Sequence, residues 1–209
     1  MSVNIIIPMK DAGEAKSRLR AALATRERIA LVHYLYRQTL AFFSTSFPQY
    51  HLSVVTPSAA SAAIASRYGA SVICEPAAAG LSAAAATAAV WSRRHGFDTQ
   101  LLIPADIATL DRDEIARLLQ AGGYLSPGVV ICSARDGGTN ALLTTPPDAI
   151  PFHFGHLSSE AHQAAAAAQS IACQILALEH LSRDVDTPAD CAELVAMDVI
   201  THRRTEVRV

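Results

Sequence analysis

Leu101-Leu102-Ile103-Pro104-Ala105-Asp106 is an apolar run that ends on a carboxylate. A short continuous apolar run bounded by proline reads as a strand buried on both faces, as in a parallel sheet covered by helices. The acid just past its end matters because open parallel sheets bind ligands beyond the carboxyl ends of their strands.

Working outward, Val3–Ile7, Leu52–Val55, Val72–Cys74, Val129–Cys132, Ala141–Thr144 and Ile171–Leu176 read as further strands. Helices are expected between them. One covers Arg26–Phe43, with Thr25 as N-cap and Ile29, Val32, Tyr36, Thr39, Leu40 and Phe43 on one stripe. Others run from Pro57-Ser58 to Tyr68, stopped by Gly69, and over Leu81–Arg94. Asp111–Gln120 precedes Gly122-Gly123, Ser158–Gln169 follows, and a last helix starts at Thr187-Pro188. The alanine runs 77–79, 83–86 and 164–168 are read as helix only. This alternation predicts an α/β fold, a mostly parallel sheet flanked by helices, in one domain spanning residues 1–209.

The 209 residues are 51% hydrophobic and 17% charged, with a formal net charge of −2. Such a chain can bury a sizeable core, and its balance argues against nucleic-acid or membrane-surface partners. Basic residues are scattered, apart from Arg93-Arg94 and His202-Arg203-Arg204. Cys74, Cys132, Cys173 and Cys191 lie far apart, so neither a zinc knuckle nor a redox pair is expected. The start of the chain runs directly into Val3-Asn4-Ile5-Ile6-Ile7, too short and unflanked for a signal peptide, and no apolar run approaches a membrane span. A cytoplasmic location is expected.

Three polar segments fall at strand ends. The first, from Pro8 to Leu19, carries Lys10, Lys16 and Arg18, with Ser17 and Arg18 entering a short helix. Cations at a helix start can hold phosphates, although a solvated basic loop has the same composition. The second is Asp106. The third is Asp184-Val185-Asp186-Thr187-Pro188. In an extended chain Asp184 and Asp186 point to one side and can share a cation with Asp106. Magnesium takes one or two carboxylates together with substrate phosphates. Helix capping is an alternative role for Asp186. Asp136-Gly137-Gly138-Thr139-Asn140 is either an anion-holding turn or a plain hairpin turn. Neither a Walker A loop nor a GxGxxG motif is present.

In order, Ile7-Pro8-Met9-Lys10, Ala15-Lys16-Ser17-Arg18-Leu19, Gly80-Leu81-Ser82, Pro104-Ala105-Asp106, Gly138-Thr139-Asn140-Ala141-Leu142-Leu143, Phe152-His153-Phe154-Gly155 and Asp184-Val185-Asp186-Thr187-Pro188 resemble the 2-phospho-L-lactate or phosphoenolpyruvate guanylyltransferase family of coenzyme F-420 biosynthesis. The resemblance spans nearly the whole chain. It implies a three-layer α/β/α nucleotidyltransferase fold of the GT-A, nucleotide-diphospho-sugar transferase type. It implies transfer of GMP from GTP to 2-phospho-L-lactate, phosphoenolpyruvate or 3-phosphoglycerate, with release of pyrophosphate.

By the same resemblance Asp106, Asp184 and Asp186 hold Mg, and Lys10, Lys16 and Asp106 are catalytic. Lys10, Lys16, Ser17, Arg18 and Ser82 face the nucleotide, and Thr139, Gly155 and Ser158 hold the acceptor. Ser82 stands where the family usually has Asn. A homodimer and a downstream transferase that consumes the product are compatible with the family. Two other readings remain open: a related nucleotidyltransferase acting on a sugar phosphate or molybdopterin, and a non-catalytic nucleotide-binding relative.

Overall fold

The computed structural model describes residues 2–196. The His202-Arg203-Arg204 cluster lies outside them. The chain runs β1 (Val3–Pro8), a short 3-10 helix (Ser17–Ala21), α1 (Thr25–Ser46), β2 (His51–Thr56), α2 (Ala59–Ser66), β3 (Ser71–Cys74) and α3 (Leu81–Arg94). It continues through β4 (Thr99–Leu102), α4 (Arg112–Gly123), β5 (Gly128–Ser133), β6 (Thr139–Thr145), α5 (Ser158–Ala168), β7 (Ala172–Leu176) and α6 (Pro188–Ala196).

The seven strands form one sheet in the order β3-β2-β1-β4-β6-β5-β7. β6 pairs antiparallel with both β4 and β5, and the other pairings are parallel. The chain winds outward from β1 to β3, then returns to place β4 on the other side of β1. The carboxyl ends of β1 and β4 therefore flank the point where the winding reverses, where such sheets bind ligands.

Helices cover both faces. On one, Val32, Tyr36, Leu40 and Phe43 of α1 and Ile115 and Leu118 of α4 pack on Ile5, Ile7, Val54, Leu101 and Leu143. On the other, Ala84, Ala85 and Ala88 of α3 pack on Ile6, Val55 and Leu102, and Ala165 and Ala166 of α5 on Val129, Ile131 and Leu142. The alanine runs at 83–86 and 164–168 thus let helices approach the sheet closely, whereas residues 77–79, expected as helix, lie in the loop between β3 and α3. Each large aliphatic side chain buried contributes about 1.5–3 kcal/mol.

Two further local expectations are corrected. Thr25 is the first helical residue of α1 rather than its cap: the cap is Ala24, whose amide donates to the Glu27 carboxylate at 2.9 Å. α4 continues through Gly122 and Gly123. A Cβ on Gly122 would lie 2.5 Å from Leu143 Cδ2, so this glycine serves helix–sheet contact, not helix termination. Ser58 precedes α2 and caps it, accepting from the Ser61 amide at 3.4 Å.

Candidate active site

The loop after β1 doubles back over the end of β4. Its conformation is set from beneath by Arg28 of α1, which is 3% exposed. The Arg28 guanidinium donates to the carbonyls of Ala12, Gly13 and Ala15, at 3.4 Å to Ala12 and 2.9 Å to Gly13. These bonds give partners to carbonyls that an irregular loop leaves orphaned. Lys16, at the loop's end, adopts left-handed backbone angles (φ 53°, ψ 46°), a conformation that a side chain ordinarily resists.

Lys16 is thereby aimed at the acids. Its side chain is 6% exposed, and its ammonium donates to the Asp106 carboxylate and to Asp186 Oδ1, the latter at 2.6 Å. Arg18, at 70% exposure, reaches Asp186 Oδ2 at 3.0 Å. Burial alone would lower the pKa of Lys16, but the Asp106 and Asp186 carboxylates outweigh it, so the net shift is upward and the group stays a cation.

The acidic segment has its own support. Glu114 of α4, itself buried, accepts from the amides of His180 at 3.0 Å and Leu181 at 2.9 Å. A backbone bridge then joins this segment to the end of β4. The Val185 amide donates to the Asp106 carbonyl at 3.0 Å, and the Ala108 amide to the Arg183 carbonyl at 2.9 Å. Asp106 and Asp186, 80 residues apart in the chain, thus converge on one ammonium.

The capping alternative for Asp186 is excluded. Thr187 and Asp190 cap α6 between them: the amides of Asp186 and Thr187 donate to Asp190 Oδ2 at 3.0 and 2.6 Å, and the Asp190 amide donates to the Thr187 hydroxyl at 3.3 Å. Asp186 is left to face the cations.

Asp184 behaves differently from the other two. Its Oδ1 accepts from Asn140 Nδ2 of β6 at 3.2 Å. Burial raises its pKa, and the neighbouring Asp106 and Asp186 charges add to the rise. Among the described residues no group of three or more His, Cys, Asp or Glu is arranged to hold a metal ion. Asp106 and Asp186, 31% and 35% exposed, are two oxygen donors that meet at Lys16. That donor set fits an ion that takes one or two carboxylates and completes its shell from substrate phosphates.

Beside this cluster lies a cavity of about 270 Å³, lined by Lys10, Lys16, Glu75, Gly80, Leu81 and Asp106 among others. Ser82, expected to face the nucleoside, does not line it. The Ser82 hydroxyl accepts from the Phe154 amide at 2.9 Å, because that loop amide lacks another partner, and so ties the Phe152-Phe154 segment to the start of α3. Glu75 is a cavity residue that sequence reasoning missed. It follows β3 directly, so the strand-end rule that singled out Asp106 could have found it. Ser17 is exposed at the start of the 3-10 helix.

Thr139, Gly155 and Ser158 are brought together. The Ser158 hydroxyl donates to Thr139 Oγ1 at 3.0 Å, and the Ser158 amide to the Gly155 carbonyl at 3.2 Å. The turn before Thr139 is a hairpin turn closed on itself, with the Ala134 amide donating to the Gly138 carbonyl at 2.9 Å. Gly137 has φ 85°, and a Cβ there would meet Leu157 Cδ2 at 2.8 Å. Only glycine lets this turn seat against the start of α5.

The comparisons with known proteins agree with this architecture. A solved structure from Desulfovibrio desulfuricans G20, described as a nucleotide-diphospho-sugar transferase, superposes with a TM-score of 0.72 at 16% identity, covering 93% of this chain and 87% of that one. A 3-phospho-D-glycerate guanylyltransferase of Colwellia psychrerythraea is 50% identical over 94% of this chain and 92% of its own length. A phosphoenolpyruvate guanylyltransferase of Sphaerobacter thermophilus is 34% identical over 93% of each. The family model described as guanylyl transferase CofC like matches residues 3–206, and the chain belongs to that family.

Proposed function

We infer that this chain is a guanylyltransferase, a single nucleotidyltransferase domain that transfers GMP from GTP to a phosphorylated three-carbon acid. The observation that carries the reading is the meeting of Lys16 and Arg18 with Asp106 and Asp186 beside the cavity that Lys10 and Gly80 line. The 50% identity to a 3-phospho-D-glycerate guanylyltransferase supports 3-phospho-D-glycerate as the acceptor, ahead of phosphoenolpyruvate and 2-phospho-L-lactate.

In the reaction a phosphate oxygen of the acid attacks the α-phosphorus of GTP. A new P–O bond forms, the α–β anhydride bond breaks, and pyrophosphate leaves with the electron pair. Lys10, Lys16 and Arg18 hold the triphosphate and offset the charge that develops on the leaving group. Thr139, Gly155 and Ser158 form the acceptor side. Asp106 and Asp186 would hold Mg, which when bound supplies positive charge to the reacting phosphates. Lys16 also offsets the charge of the two carboxylates. The product's phosphoanhydride is reactive, which fits coenzyme F-420 biosynthesis with a downstream transferase consuming it, and a cytoplasmic location; among the described residues no helix is long and apolar enough to cross a membrane.

Pyrophosphate release tests the reading. The purified protein is incubated with each nucleoside triphosphate, Mg and each of the three acids. Release with GTP and 3-phospho-D-glycerate is the expected result. Release only with a sugar phosphate or molybdopterin would favour the related nucleotidyltransferase, and silence with every pair the non-catalytic relative.

A further inference from the structure

Beneath the acceptor side lies a fully buried histidine that the reaction above does not use. His162 of α5 is 0% exposed. Its Nε2 accepts the backbone N–H of His153 at 2.9 Å, so Nε2 carries no proton. A neutral imidazole has one N–H, which must then sit on Nδ1. Nδ1 lies 3.1 Å from Thr139 Oγ1 and donates to it. Burial, with His153 adding to it, pushes the His162 pKa down to about 4, so the ring is neutral at physiological pH.

The consequence falls on Thr139, itself 6% exposed. Its hydroxyl oxygen accepts from His162 Nδ1 and from the Ser158 hydroxyl at 3.0 Å. Both lone pairs are occupied. The hydroxyl's own proton has no acceptor among the described residues. A buried donor without an acceptor is costly, and an anionic oxygen of a ligand is the partner that chemistry supplies. The next residue of β6, Asn140, points to the other side of the strand, where it holds Asp184.

We propose that His162 is a positioning residue: its Nδ1–H, with the Ser158 hydroxyl, turns the Thr139 hydroxyl outward as a fixed donor to an anionic oxygen of the phosphorylated acid. This rests on the reading of Thr139 as part of the acceptor side. His162 acts through Thr139 and touches no substrate.

Kinetics with 3-phospho-D-glycerate and GTP test it. His162→Phe should raise the KM for the acid about tenfold, leaving the KM for GTP within about twofold. His162→Asn, which keeps an N–H near the Nδ1 position, should recover most of the loss. In a Thr139→Val background, His162→Phe should add little, because the two act as a unit. An unchanged acid KM in His162→Phe, or a full additional penalty in the double variant, overturns the proposal. An unchanged acid KM in Thr139→Val overturns it together with the acceptor assignment, while GTP-dependent pyrophosphate release still stands.

Nitrogen-15 NMR of the imidazole in the intact wild-type protein gives a readout independent of turnover. The expected result is a protonated Nδ1 whose resonance moves when 3-phospho-D-glycerate is added without GTP. A proton on Nε2, or no response to the acid, overturns the proposal even if the protein transfers no GMP.

Discussion

Two loops that meet at the active site are held from behind by buried charges of opposite sign. Arg28 supplies N–H donors to the carbonyls of residues 12–15, and Glu114 supplies oxygen acceptors to the amides of His180 and Leu181. Each support has the sign of the loop it serves. The Arg28 loop bears Lys16 and Arg18, and the Glu114 loop leads to Asp184 and Asp186. A hydrocarbon side chain of the same size could pack in either place but could not satisfy the backbone. Under the proposed function, the difference suits one half of the site to phosphate and the other to cations, with Lys16 joining them.

The largest effect should come at the junction. Asp106→Asn removes a carboxylate from both the Lys16 cluster and the proposed metal site, and kcat should fall by about 10²–10³ or more. The melting temperature should move by less than about 3 °C. Near-normal turnover in this variant would remove Asp106 from catalysis.

Arg28→Met should be next. It leaves three loop carbonyls without their buried donor and should cost on the order of 3 kcal/mol in denaturant unfolding. The KM for GTP should rise more than that for the acid, because the displaced loop carries the phosphate-facing cations. Glu114→Gln should be milder, about 1–2 kcal/mol, since the amide keeps one acceptor oxygen. Its kinetic signature should be a higher Mg requirement with little change in GTP affinity. If both variants shift the same kinetic constant, the division of labour between the loops is wrong.

The smallest effect concerns Asp184→Asn. The folded pKa of Asp184 lies above its model-compound value of 3.8, so the native state binds a proton that the unfolded state has already released. Its contribution to stability therefore falls as pH rises from about 3.8 through the folded pKa. At pH 7 the Asn variant should match or slightly exceed wild type in chemical denaturation. The difference should vanish below about pH 3.8. A variant less stable than wild type at pH 7 would show that the charge at Asp184 is stabilised by its surroundings.

Much of the framework was legible because periodicity is a local property. The apolar runs at Val3–Ile7 and Leu101–Leu102 formed central strands, and the alanine runs 83–86 and 164–168 formed helices, whereas 77–79 did not. The strand-end rule located Lys16, Asp106 and Asp186 from their neighbours in the chain. The antiparallel direction of β6 was not legible, since an apolar run has the same composition in either direction. Arg28 and Glu114 looked like ordinary charged residues of amphipathic helices. Their roles depend on which loop folds over them. The bond that the Ser82 hydroxyl accepts from the Phe154 amide was not legible either, because its partner lies 72 residues away in the chain.

The buried polar set of Asn4, Ser53, Ser92 and Gln100 makes the same point. Asn4 Nδ2 donates to Ser92 Oγ at 2.9 Å, and Ser53 Oγ donates to Asn4 Oδ1 at 2.8 Å. The four residues come from four different elements, so no window of sequence shows them satisfied. By itself the sequence determined which segments are strands or helices and which charged groups stand at strand ends, because short-range apolar patterning and turn chemistry decide both. Only the tertiary structure decided which charges meet, which acid faces a cation rather than an amide, and which way the Thr139 hydroxyl turns. Those outcomes depend on distances of a few ångströms between residues tens of positions apart, set by how the sheet is wound.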